Sequence, residues 1–279
     1  MSVRIIADST ADLMANYKEQ VHTVPLTVHF DEQEYLDGVT IDKKEFYEKL
    51  VESDVLPTTS QATPDAFMTE LDKAKEAGDS VVIITLSSGL SGTYQSACIA
   101  AADYEDVYVV DSGSAAIGGG ILVELACRLR DAGFSAADIA AKLDEEKKKL
   151  IVVALVDTLE YLKKGGRISS AVAMVGGMLN IKPVLAIVDG EIRMLGKARG
   201  SKMGNNLLVQ EIEKAGGVDF SKPVLMGYTG ISDALLVKYI EDSKHIWEGN
   251  LDEVRYAAIG SVIGTHAGPG AVAVAFFKN

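Results

Sequence analysis

Short apolar runs alternate with longer segments of helical periodicity through the first half of the chain. Val3 to Ala7, Val81 to Leu86, Val107 to Val110 and Ile151 to Val156 read as buried strands, and Val21 to Phe30 alternates enough to be extended. Helical segments separate them. Asp42 with Glu45 makes a capping box ahead of a helix ending near Ser53, and Thr63-Pro64 opens another that Gly78 closes. Further helices cover Gln95 to Ala102 and Leu122 to Arg130, and Ser135 with Asp138 caps the next. Asp8-Ser9-Thr10 reads as the cap of a helix from Ala11.

The pattern changes after about Asp157. Two helical pieces flank Gly165-Gly166, and Lys182 to Val188 and Glu191 to Gly196 are joined by Asp189-Gly190, a two-residue hairpin signal. A helix (Ser201 to Ala215), a strand (Val224 to Tyr228), a helix (Asp233 to Ser243) and two final strands follow. Strands alternating with helices predict an α/β protein of two domains: residues 1–157, a mostly parallel sheet with helices on both faces, then residues 158–279, a smaller mixed α/β domain.

Composition narrows the function classes. A chain of 279 residues, 48% hydrophobic, can build a large core, and its net charge of −13 with no basic stripe argues against a nucleic-acid partner. Cys98 and Cys127 lie in Ala/Leu-rich helical sequence outside any CxxC, so they read as buried thiols and not as a disulfide or metal site. The first residues lack a signal core, and no apolar stretch approaches the roughly 18 residues of a membrane span, so a cytoplasmic protein without stable membrane insertion is expected.

Three hydroxyl-rich segments fall where an open α/β sheet binds ligands: Asp8 to Thr10, Thr58 to Gln61 and Ser87 to Thr93. The third holds more hydroxyls than one helix cap uses, while Gly89 and Gly92 admit a close approach to backbone and the following helix offers free amides to an anion. With no GxxxxGK[ST] and no GxGxxG in the chain, a carboxylate fits better than a polyphosphate. His266 sits in GTHAGPG, an irregular loop that is poor packaging for a core histidine, and Arg167 follows a Gly-Gly turn outside the hydroxyl loops. A second reading is a serine hydrolase using Ser91 and His266, since Gly89 to Thr93 stands between strand and helix as a nucleophile elbow does. The G-x-S-x-G pattern fails at Thr93.

DSTADL (8–13), TSQ (59–61), LSGTYQSA (90–97), the Asp111-Ser112 pair, LEYLKKGGRIS (159–169) and GTHAGPGAV (264–272) occur in this order. Together they resemble the DegV family, bacterial fatty-acid-binding proteins that serve as lipid-carrying subunits of fatty acid kinase. The resemblance implies one long-chain fatty acid held between two domains, no cofactor, and an ATP-dependent kinase subunit as partner. It implies a carboxylate bound by Thr59, Ser91 and His266 in the loop that includes Gly92, with Arg167 and Arg199 facing the kinase or the transferring phosphate. No catalytic residue and no metal are implied. A third reading is a dihydroxyacetone-kinase-like subunit that takes a small ketone covalently through histidine.

Overall fold

The computed structural model describes residues 2–168 and 180–279. The second helical piece expected after Gly165-Gly166, and Ser169 of the GGRIS segment, lie outside the described residues. In the first half, β1 (Val3–Asp8), β2 (His22–Val24), β6 (Ser80–Thr85) and β7 (Val107–Asp111) form a parallel sheet in the order β2-β1-β6-β7. Strand alternation feeds two cores. Ile5, Ala7, Val82 and Ile84 face the helices Ile117–Asp131 and Ala136–Glu146, whereas Ile6, Val81 and Ile83 face Lys43–Glu52, Pro64–Ala77 and Thr93–Ala101. The predicted caps close these helices: Asp42 accepts from the Glu45 amide, Thr63 from Ala66 and Ser135 from Asp138.

A second, antiparallel sheet is β3 (Thr27–Phe30) between β4 (Gln33–Leu36) and β5 (Thr58–Ser60). The Thr58 to Gln61 segment, expected as a loop, is therefore largely an edge strand paired to β3. The third sheet is mixed and six-stranded, in the order β10-β9-β8-β13-β11-β12, with β8 (Leu150–Leu155), β9 (Ile181–Val188), β10 (Glu191–Arg199), β11 (Leu225–Tyr228), β12 (Tyr256–Ala258) and β13 (Val272–Phe277). The hairpin β9–β10 turns at Asp189 and Gly190, both at positive φ as its two-residue turn requires. The sequence pattern sets β8 beside the parallel strands of the first half. It instead runs antiparallel between β9 and β13, because its apolar residues on both faces suit the centre of any sheet and periodicity does not name the partner. This sheet is wider than the parallel one, although its part of the chain is shorter.

One face of the six-stranded sheet (Val153, Leu155, Val184, Val272, Val274 and Phe276) packs on Leu208, Ile212, Leu236, Tyr239 and Trp247. The other carries Val152, Ala154 and Val156 of the β8 segment beside Leu185, Ile187, Ala271 and Ala273. Helix Ile117–Asp131 covers only part of this face, and the remainder floors a cavity.

The expected helix from Ala11 does not form; the nearest is a single short turn, Ala15–Lys18, without a side-chain cap. Asp8 is fully buried and accepts from Thr10 N at 2.9 Å, Thr10 Oγ1 at 2.6 Å and Leu86 N at 2.7 Å, so its oxygens tie β1 to the loop after β6 instead of capping. Burial pushes Asp8 up from 3.8 to about 6 in spite of these three donors. The folded chain therefore holds this proton more tightly than the unfolded one. The stability Asp8 lends is complete below its unfolded pKa and is lost as pH rises through about 6. The unfolding free energy of the wild type should fall relative to that of Asp8→Asn by about 2.4 kcal/mol between pH 4 and pH 7. Urea melts across that range read the difference, and a constant offset contradicts the assignment.

Candidate functional site

The cavity has a volume of about 390 Å³, within the range of small-molecule sites. Its floor is the sheet face just described; its roof is Leu26, Leu86, Leu90, Ala115 and Ala116 of the first half with Val262 and Ile263 of the helix Ser261–Ala267. These walls are apolar. Polar side chains gather at Thr59, Ser60, Gln61, Ser91, Arg167 and His266.

The polar residues come from separate elements. Thr59 is on the edge strand β5, and its Oγ1 lies 2.9 Å from His266 Nε2. His266 is in the last turn of helix Ser261–Ala267, not in an irregular loop; the GPG segment follows that helix and begins with Gly268 as its C-cap. Burial, and then the positive charge of Arg167, push His266 down to about 4, so the imidazole is neutral. Its Nδ1 is buried without a partner among the described residues. An unpaired buried N–H beside a cation is the more costly alternative, so the proton belongs on Nε2, which donates to Thr59 Oγ1. That leaves the Thr59 hydroxyl proton free to point elsewhere. Gly165 is required here, since a Cβ would stand 2.1 Å from Nδ1.

Ser91 is half-buried beside the cavity. Its Oγ lies 3.0 Å from Thr93 Oγ1 and accepts from Thr93 N at 3.3 Å, a turn that opens helix Thr93–Ala101. Thr93 Oγ1 also accepts from Ala62 N, which fastens this loop to the end of β5. Gly92 lines the cavity too, and its missing side chain makes room for Gln61, whose Oε1 would be 2.1 Å from a Cβ. Gln61 in turn donates to Ser96 Oγ at 2.8 Å. Asp111 accepts from Ser88 N and Gly113 N, holding the start of the same loop.

Arg167 does not stand apart from the hydroxyl loops. Its Nε donates to Leu90 O at 3.1 Å and its Nη1 to Gly165 O at 2.7 Å, and the side chain forms part of the cavity wall. The Gly-Gly turn folds the arginine back onto the Ser91 loop, which its spacing in sequence does not reveal. Arg199 is exposed at the end of β10 and is not among the cavity's lining residues. Gln61, the partner of Gly92 and a wall residue, was missed by the sequence reading, although it follows Thr59 and Ser60 directly. Among the described residues, no cluster of three or more His, Cys, Asp or Glu side chains is placed to hold a metal ion, and no helix is long and apolar enough to cross a membrane.

The arrangement suits an apolar guest with one small polar end. It suits nucleophilic catalysis poorly: His266 Nε2 engages Thr59, Ser91 Oγ engages Thr93, and among the described residues no carboxylate orients His266 Nδ1.

The sequence matches the profile of a family described as uncharacterised proteins of the DegV family, over residues 2–279. A DegV domain-containing protein of Caldanaerobacter subterraneus subsp. tengcongensis is 34% identical, with 98% of each chain covered. Among solved structures, a DegV lipid-binding protein from Thermotoga maritima superimposes with a TM-score of 0.89 at 29% identity, over 99% of this chain and 98% of that one. A fatty-acid-binding DegV family protein from Thermus thermophilus gives 0.88 at 31% identity, with both chains fully covered. With a whole-chain profile match and relatives above 30% identity that align end to end, the chain belongs to the DegV family.

Proposed function

We propose that this protein binds one long-chain fatty acid in the cavity and presents its carboxylate to a separate ATP-dependent kinase subunit, which makes the acyl-phosphate. The observation that carries the reading is an apolar cavity of about 390 Å³ with its polar side chains gathered around Thr59, Ser91 and His266. The lipid-binding relative from Thermotoga maritima and the fatty-acid-binding one from Thermus thermophilus support it.

In this reading the acyl chain lies on Val152, Ala154, Leu185 and Ala273, where each buried methylene contributes about 0.8 kcal/mol. The carboxylate accepts from the hydroxyls of Thr59 and Ser91. His266 donates to Thr59 and so turns that hydroxyl's proton toward the ligand; Gly92 leaves the loop thin enough for the oxygen to approach. Neutral donors leave the carboxylate more nucleophilic than an ion pair does, which favours attack on a phosphoryl group. Arg167, tied down by its bonds to Leu90 O and Gly165 O, lies close enough to lower the His266 pKa, and in this reading it makes no ion pair with the carboxylate. Arg199, exposed, is the arginine left to face the kinase. The two halves, residues 1–157 and 158–279, close on the ligand from opposite sides, with β8 contributed to the sheet of the second. The protein works in the cytoplasm, needs no cofactor and has no turnover of its own.

Competition against a fluorescent fatty acid tests this. Palmitate should displace the probe, and its methyl ester, which lacks the charge, should be at least about tenfold weaker. Equal competition by acid and ester removes the head-group assignment, and ATP turnover by the protein alone removes the carrier reading.

A further inference from the structure

Helix Ser261–Ala267 belongs by sequence to the second half, yet its start is held almost wholly by the first. Asp12 Oδ1 accepts from Gly260 N at 2.9 Å and from Lys43 Nζ at 2.6 Å, and Lys43 also donates to Ala258 O. Asp37 Oδ1 accepts from Ser261 N at 3.1 Å, and Tyr47 Oη donates to Ile259 O at 3.0 Å. Four consecutive residues, Ala258 to Ser261, thus each give one backbone group to a side chain from residues 12–47. Asp12, Asp37, Tyr47 and Ser261 are buried. Asp12, Asp37, Lys43, Tyr47 and Ser261 do not line the cavity, whereas Ile259 does.

We infer that Asp12 and Asp37 are positioning residues for His266: they fix the origin and direction of the helix whose last turn brings His266 against Thr59. The inference rests on the fatty-acid reading for its functional meaning, but not for its geometry. From Gly260 to His266 the helix rises about 9 Å, so a tilt of about 10° at its start carries the imidazole about 1.6 Å sideways. Across the bond to Thr59 that displacement stretches 2.9 Å to about 3.3 Å, and along it to about 4.5 Å, which weakens or breaks it.

The chemistry of the cluster supports a positioning role over a purely stabilising one. Burial raises the pKa of both carboxyls, and the Oδ2 atoms of Asp12 and Asp37 and the Ser261 Oγ have no partner among the described residues. Two half-satisfied buried carboxylates are a poor way to stabilise a fold. They do provide directional bonds to two adjacent amides, which define a helix origin more tightly than apolar packing. Asp12 is further anchored by Lys43, which sits in the first turn of helix Lys43–Glu52, and the backbone N–H of Asp37 donates to the carbonyl of the cavity residue Leu26. The same two aspartates therefore tie the helix to the cavity wall.

The test is the state of the His266 side chain in ligand-free protein, read by long-range ¹H–¹⁵N correlation, together with palmitate affinity. The wild type should show one neutral tautomer protonated at Nε2. In Asp37→Ala the bond to Thr59 loosens, the spectrum should become a mixture of tautomers, and palmitate should bind about tenfold more weakly. Asp37→Asn keeps an oxygen for the Ser261 amide and should restore the single tautomer and bring affinity back to within about threefold. Tyr47→Phe, which removes only the bond to Ile259, serves as the milder probe if Asp37→Ala does not fold, and should shift the tautomer ratio in the same direction. A wild-type His266 spectrum in the folded variants, with only the melting temperature lowered, overturns the inference. If the spectrum shifts as stated but the wild type binds no palmitate, the positioning stands and the fatty-acid reading is what fails.

Discussion

Ala154→Phe is expected to weaken palmitate binding about 100-fold while leaving thermal stability nearly unchanged. Ala154 sits on the floor of the cavity, paired across the sheet with Ala273 and beside Leu185. Two alanines facing each other leave a trough where larger side chains would meet the roof. A phenyl ring there occupies the space of about four methylenes, and at about 0.8 kcal/mol each the loss is about 3 kcal/mol. Most core positions resist such enlargement because neighbours must move, at about 1–3 kcal/mol. Here the ring enters existing space, so that penalty is small. Undiminished palmitate binding by a folded Ala154→Phe protein would mean that the tail lies elsewhere.

The second large effect is at the head group. Thr59→Ala combined with Ser91→Ala removes both hydroxyl donors. A hydrogen bond to a charged group is worth about 1.5–3 kcal/mol, so the pair should cost at least about 3 kcal/mol, on the order of 100-fold in affinity. The single substitutions should each show less than half of this, because one remaining donor can still turn toward the carboxylate. Ser91 also shapes the turn into helix Thr93–Ala101, so the melting temperature of Ser91→Ala has to be compared with that of Thr59→Ala. Thr59 makes no such turn, so its loss leaves that helix start intact. With both hydroxyl donors gone, the ester and the acid should become nearly equal competitors in the double variant. A double variant that still prefers the acid tenfold would place the carboxylate on other groups.

Much of this architecture was legible in the sequence because local signals and tertiary packing agree. The capping residues Asp42, Thr63 and Ser135 sit where the helices begin, and Asp189-Gly190 turns the hairpin. Asp8 to Thr10 misled because a cap and a cross-strand bridge use the same residue types. Only the position of Leu86, distant in sequence, decides between them. The β8 strand misled for a related reason, since apolar residues on both faces say that a strand is central but not in which sheet. At the site, Thr59, Ser91, Gly92 and His266 do gather at one cavity, whereas Arg167 folds inward through bonds to backbone carbonyls that no motif encodes. The alanines of the cavity floor were invisible for a physical reason. Their meaning comes from lying opposite one another across β8 and β13, and small residues are ordinary in any core.

Native mass spectrometry of protein purified from bacteria without added lipid decides whether one fatty acid occupies this cavity. The spectrum should show a single adduct per chain with the mass of one long-chain fatty acid, retained through gel filtration, removed by organic extraction, and absent or much reduced in Ala154→Phe. A wild-type protein that carries no adduct, and acquires none when incubated with palmitate or oleate, would rule that occupancy out.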